Sequence, residues 1–273
     1  MIRSMRVENF SSVPYLESSA IVKNNPEGFF FSTEKPTVIV GPNGSGKSAL
    51  MRTLALRFLA EVLGESSFDR EYVDTYKPYW TNSSRWGHEW EFLKGLTCDT
   101  DNSPAVYYRP GHVPGNEASA THALCMGLAD EARAYISLVD KKSSGEGHKN
   151  RLERVLSILR KETSLQYRYA RWNFGQEPRD LSDHTRWSGA MEHKAEVLKA
   201  LFSSPGQQPL VLMDEPEQSL DALSELQLWK ELSKKGNAQL IVASHSLYPL
   251  QHPELFWLIE TTPGYINAVR ELI

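Results

Sequence analysis

The chain has 273 residues, 40% of them hydrophobic and 23% charged, with a formal net charge of −4. The length suits one large domain or a core with a smaller lobe, the composition is that of a globular chain, and the charge excludes a polycation that coats nucleic acid with its whole surface. No apolar run approaches the roughly 18 residues needed to span a bilayer. Met1-Ile2-Arg3-Ser4-Met5-Arg6 leads straight into polar sequence without a signal-peptide core. The expectation is a cytoplasmic protein with no direct membrane insertion. Cys98 and Cys125 lack a C-x-x-C spacing, which fits a reducing compartment and two buried small side chains.

In chain order, Met5–Phe10 alternates like an edge strand. Ala20-Ile21-Val22 and Gly28–Phe31 read as two more short strands. Phe10 and Tyr15 are aromatic candidates for stacking on a base, with the core as the plainer reading. Thr37-Val38-Ile39-Val40 is a β-branched apolar run, a buried strand. It feeds Gly41-Pro42-Asn43-Gly44-Ser45-Gly46-Lys47-Ser48, a full match to G-x-x-x-x-G-K-[ST], and Ala49 onward begins a helix. Strand, glycine loop and helix together form a phosphate cradle. The glycines let backbone N–H groups turn inward, and the helix N-terminus adds its positive dipole end. Lys47 is expected to reach the β/γ-phosphates and Ser48 to offer its hydroxyl to Mg²⁺.

The helix after Lys47 is expected to run through Val62 and to end near Gly64. Tyr72 to Phe92 is crowded with aromatics and reads as an irregular packed lobe or a contact surface for a partner chain. Ala105–Tyr108 is a strand that ends at Arg109-Pro110-Gly111. Arg109 and His112 are the local candidates to face Mg²⁺ or the γ-phosphate. Ala118 to Val139 reads as helix, Lys141–Gly147 as a flexible break, and a second helix follows through Leu165. Its polar face carries Lys149, Arg151, Arg154, Arg160, Lys161, Arg168 and Arg171, a basic bias that makes a nucleic acid a possible partner. His193 to Phe202 is a further helix.

Pro209–Met213 is an apolar strand that ends in Asp214-Glu215, the Walker B pattern. Asp214 is expected to hold Mg²⁺, usually through water. Glu215 is placed to polarise the water that attacks the γ-phosphate. Pro216–Asp221 leads into a helix through Leu232. Ala238–Ala243 is another buried strand, and it ends at Ser244-His245-Ser246. His245 stands where it can sense the γ-phosphate.

Gly41–Ser48, Asp214-Glu215, Ser219-Leu220-Asp221 and His245 occur in an order and spacing that resemble the ABC-type ATPases. Val7-Glu8-Asn9-Phe10 and Asp214-Glu215-Pro216-Glu217 are similar to the soluble SMC/RecF-like branch. The resemblance covers roughly residues 1–63 and 180–260. It implies an α/β fold: a P-loop NTPase core with an N-terminal antiparallel β element and a helical insertion lobe. Residues 1–63 and 180–273 would form the nucleotide-binding core of one domain, and 64–180 the lobe. It also implies ATP and Mg²⁺, catalytic roles for Glu215, His245 and Lys47, and a head-to-head homodimer. In that dimer Ser188-Gly189 would serve as the signature loop and Asp221 would approach the nucleotide. The signature departs from the family pattern, since Trp187 precedes it and Ala190-Met191 follow, and a Q-loop glutamine is missing. Leu181-Ser182 is a poorer signature, with no glycine after it.

The function expected from this resemblance is an ATP-driven dimerisation switch that serves a separate effector protein, in DNA repair or antiphage defence. The alternatives are the nucleotide-binding subunit of an ABC transporter and a binding module that uses ATP structurally and barely hydrolyses it.

Overall fold

Six strands make one sheet in which every pairing is parallel. The computed structural model describes residues 1–10, 13–58, 61–63, 95–101, 103, 105–110, 144–162, 208–218, 220–234 and 236–272. The strands of this sheet are β3 (Thr37–Val40), β4 (Glu61–Leu63), β6 (Ala105–Tyr108), β7 (Leu210–Asp214), β8 (Gln239–Ala243) and β9 (Trp257–Glu260). Their order is β4-β6-β7-β8-β3-β9. β3, β6, β7 and β8 are buried along their whole length. Near-continuous apolar sequence is what a parallel sheet covered on both faces requires.

Alternation sorts the side chains into two cores. Ile39, Tyr107, Leu212 and Ile241 face one layer, where Leu50, Met51, Leu54 and Phe58 of α3 (Lys47–Phe58) pack. Val38, Tyr108, Val211, Met213 and Val242 face the other. There they meet Val155, Leu156 and Leu159 of α4 (Ser144–Leu159) and Leu228, Trp229 and Leu232 of α5 (Ala222–Leu232). Trp229 is fully buried, stacked on Tyr248 at 6.3 Å and edge-on to Phe256 at 5.7 Å.

A second, antiparallel sheet has the order β2-β1-β5, with β1 Ile2–Val7, β2 Phe29–Phe30 and β5 Leu96–Thr100. Gln239, at the start of β8, ties it to the parallel sheet. It accepts from Ile2 N at 2.7 Å and donates to Ile2 O at 2.6 Å and Ser32 O at 3.0 Å.

Several expectations need correction. β1 is the central strand of its sheet, not an edge, because β5 arrives from far along the chain to pair with it. It stops at Val7, where the N–H groups of Glu8 and Asn9 both turn to Gly95 O. Phe10 therefore falls in a turn, and the side chain of Tyr15 lies outside the described residues. Ala20–Val22 is not a strand. Ala20–Lys23 forms one helical turn, here α2, which follows α1 (Pro14–Glu17). Its β-branched residues yield to tertiary context, since Ile21 is fully buried and its N–H donates to Ser45 O at 3.0 Å.

α3 ends at Phe58, and Glu61–Leu63 leaves it to pair with β6. Ser144–Gly147 is the first turn of α4, not a break. α4 stops at Leu159 rather than Leu165. Lys161 takes φ 64 there and the Glu162 N–H closes back to Ser157 O at 2.8 Å, a left-handed helix ending. Residues 64–180 supply β5, β6 and α4 to the two sheets and their covering layer. The aromatic run, the helix expected over 118–139 and the helix expected over 193–202 lie outside the described residues.

Candidate functional site

All parallel strands point the same way, so the loops after β3, β6, β7 and β8 collect at one edge of the sheet. The loop after β3 is Gly41–Gly46. Gly41, Gly44 and Gly46 have φ of 156, 73 and 102. At Gly46 the reason is visible. A Cβ there would stand 2.7 Å from Ser19 Cβ and 2.9 Å from Ile21 Cγ2, so α2 forms the floor of the loop and only glycine fits above it. At Gly41 a Cβ would collide with Thr261 Oγ1 at 1.6 Å. Pro42, Asn43 and Gly44 are exposed, and Ser45 and Lys47 are buried.

Lys47 opens α3. Its Nζ donates to Gly41 O at 2.9 Å and Pro42 O at 3.1 Å, so the ammonium is folded back over its own loop. Burial lowers its pKa, and the charges of Glu215, Asp214 and Glu217 oppose that shift. Ser48 Oγ donates to Asp214 Oδ1 at 3.0 Å. The two halves of the motif, 166 residues apart, thus meet directly. Ala49 lies in the same helical turn, its carbonyl accepting from Thr53 Oγ1 at 2.8 Å.

Asp214 is only 1% exposed. Desolvation pushes its carboxyl up, while Arg109, Ser48 and Tyr107 pull it down. Tyr107 OH donates to Oδ2 at 3.1 Å, and Arg109 Nε lies 3.9 Å from the same oxygen. Tyr107 lies in β6 and Arg109 directly follows it; β6 runs beside β7 in register, with Tyr108 opposite Met213. Arg109 is thus at the edge of the site, and His112 lies outside the described residues. Tyr107 was not legible as a site residue, since Tyr108 beside it carries the same hydroxyl and only the strand's alternation turns Tyr107 toward Asp214.

Glu215 has φ 50, an uncommon left-handed conformation for a residue with a side chain. Its N–H donates to Ala243 O at 2.8 Å, so the β7–β8 ladder holds it there. Its Oε1 lies 3.3 Å from His245 Nε2. Desolvation and Lys47 lower the His245 pKa below the ordinary imidazole value, against the pull of Glu215. The shift favours the uncharged imidazole, whose Nε2 faces the Glu215 carboxylate. Asp221 caps α5, accepting from Leu223 N and Ser224 N at 3.0 Å each. Its hydrogen bond from Ser224 lowers its pKa. Ser188 and Gly189 lie outside the described residues.

The residues fit a phosphate chain and Mg²⁺ on structural grounds. Ser45 Oγ is buried in the loop with no hydrogen-bond partner among the described residues, an acceptor and donor at the cradle. Among the described residues no group of three or more His, Cys, Asp or Glu gathers for a metal. A hydroxyl and one carboxylate suit an ion that keeps waters and takes substrate phosphates for its other ligands, as Mg²⁺ does. No family model matches the chain, and no curated protein matches it.

Proposed function

We propose that this chain is an ATPase with a P-loop NTPase core of ABC type, and that it binds Mg-ATP at this edge of the parallel sheet and hydrolyses the γ-phosphate bond. The observation that carries the reading is the meeting of Ser48, at the helix start after the glycine loop, with Asp214, at the end of β7. A phosphate-loop motif by chance has no reason to place its serine on a buried carboxylate.

The loop N–H groups and the first turn of α3 would bind the phosphate oxygens. Lys47 Nζ, with three donors, would exchange its carbonyl partners for phosphate oxygens. Ser48 and Asp214 would hold Mg²⁺, which when bound neutralises charge on the phosphates. Glu215 would accept a proton from the attacking water as its oxygen bonds to the γ-phosphorus and the bond to the bridging oxygen breaks. The proton ends on the carboxylate and then on phosphate, and ADP leaves. His245 would orient Glu215 through the Nε2–Oε1 contact.

The reading extends to an ATP-dependent homodimer that passes its opening and closing to a separate effector protein. It is supported by exposed Leu223, Leu226 and Leu247, which sit beside Asp221 and His245 in sequence on the same edge. Nucleic acid is a weaker part of the reading. Arg160 of the expected basic face is engaged by Glu153, Glu162 and Glu231 at 2.6, 3.7 and 2.8 Å.

The test is phosphate release by the wild-type chain and Glu215→Gln. The variant is expected to lose roughly 100- to 10,000-fold in kcat, the range for one acid–base group, while it still binds ATP. Mass photometry of the same variant is expected to show a dimer with Mg-ATP. Equal rates for the two proteins would remove Glu215 from the mechanism.

A further inference from the structure

Glu217 sits two residues past Glu215 and has no role in the scheme above. Its Oε1 accepts from Ser244 Oγ at 2.7 Å and from the backbone N–H of His245 at 2.8 Å. One carboxylate oxygen therefore joins the loop after β7 to the loop after β8. The second loop is held again from α5. Ser246 Oγ donates to Glu225 Oε1 at 2.5 Å, and Ser246 N–H donates to Ser244 Oγ at 2.9 Å. His245 thus stands between two anchored serines, with its own N–H fixed, and its ring 3.3 Å from Glu215.

The bonding is uneven in a telling way. Glu217 Oε2 is buried with no hydrogen-bond partner among the described residues. Two donors converge on one oxygen while the other has none among the described residues, an arrangement that costs stability. Burial raises the Glu217 pKa, in line with that cost.

We propose that Glu217 is a positioning residue for catalysis: it fixes the Ser244–Ser246 loop so that His245 meets Glu215, and it thereby sets turnover without touching nucleotide. This rests on the reading of the site as an ATPase. The carboxylate acts through the acceptor at Oε1, so glutamine keeps the function and alanine loses it.

The test compares Glu217→Ala, Glu217→Gln and Ser244→Ala in the full chain. Ring ¹⁵N signals of His245 are read without nucleotide and assigned by their loss in His245→Gln. Kinetics with Mg-ATP and thermal midpoints are measured on the same samples. Glu217→Ala is expected to shift the His245 ring signals and to lower kcat roughly 10- to 100-fold, the scale for losing an orienting partner, with KM within about threefold of wild type. Glu217→Gln is expected to keep the wild-type ring signals and rate, with an equal or higher midpoint. Ser244→Ala removes one donor to Glu217, should fold if Glu217→Ala does not, and is expected to shift the same signals. Unmoved His245 signals in folded Glu217→Ala or Ser244→Ala would overturn the proposal, as would a Glu217→Gln as slow as Glu217→Ala. A wild-type chain that turns over no ATP would sink the reading of the site, while the ring spectra would still judge the placement of His245.

Discussion

The two edges of the parallel sheet handle charge in opposite ways. At the edge where the strands begin, a cleft of about 310 Å³ is lined by Lys35, Arg160, Glu231 and Lys234 among others. Arg160, Glu231 and Lys234 are matched by ion pairs, Arg160 with three carboxylates and Lys234 with Glu231, and Lys35 is held by a backbone carbonyl, Glu254 O. Gln239 has both amide atoms engaged there. At the edge where the strands end, charges are buried and only partly matched. Asp214 and Lys47 are both shifted toward neutrality by burial, Glu215 holds a left-handed φ, and Glu217 has an oxygen with no hydrogen-bond partner among the described residues. One edge is built for stability. The other holds groups at a cost that binding a charged ligand would offset.

Gln239→Ala should show the first edge at its strongest. It strips partners from Ile2 N, Ile2 O and Ser32 O in a buried position. Each buried group left unsatisfied costs about 1–3 kcal/mol, so a loss of at least about 3 kcal/mol is expected in chemical denaturation, with ATP affinity unchanged. An equal loss of ATP affinity would mean that the two edges are not separable.

Acidification should act on the second edge. The His245 pKa is lowered in the folded chain, so His245 stays neutral there when the unfolded chain has already taken up a proton near pH 6.5. Stability attributable to His245 is therefore lost as pH falls from about 6.5 to the lower folded-state value, and is level below it. Within the folded chain, protonation turns the contact with Glu215 into an ion pair and ties up the base. Turnover is expected to fall on the acid side of that lower value, and His245→Gln should remove this limb from the pH–rate profile. A profile unchanged by the substitution would contradict the pairing.

The smallest effect belongs to Arg160. Its pairs are exposed, and such pairs contribute at most about 1 kcal/mol each. Arg160→Ala should lower stability by that order, the loss should shrink in high salt, and ATP binding should not change. A loss above about 3 kcal/mol would show that the cluster is not a surface one.

The contiguous parts of the candidate site stand out in the sequence. Gly41–Ser48 does so because its motif is made of neighbouring residues, and Asp214-Glu215 because one strand delivers them together. The burial of β3 and β8 followed from their mostly apolar, β-branched runs. What was not readable lies across the chain. Tyr107 reaches Asp214 over 107 residues, and Ser244 reaches Glu217 over 27. No local pattern encodes such pairings. Ala20–Val22 misled because its β-branched residues favour strand in isolation, whereas their place under Gly46 makes them helical. Glu61–Leu63 misled because a strand partner in β6 outweighs helix continuation.

The most direct test of the ATP site is calorimetric titration of the wild-type chain and Lys47→Ala with ATP, in Mg²⁺ and in EDTA. The account predicts saturable binding by the wild type that tightens with Mg²⁺, and a loss of roughly 10- to 100-fold in Lys47→Ala, as expected for charge-assisted bonds worth about 1.5–3 kcal/mol. Binding that is indifferent to both Lys47 and Mg²⁺, or no binding by the wild type at all, would contradict it.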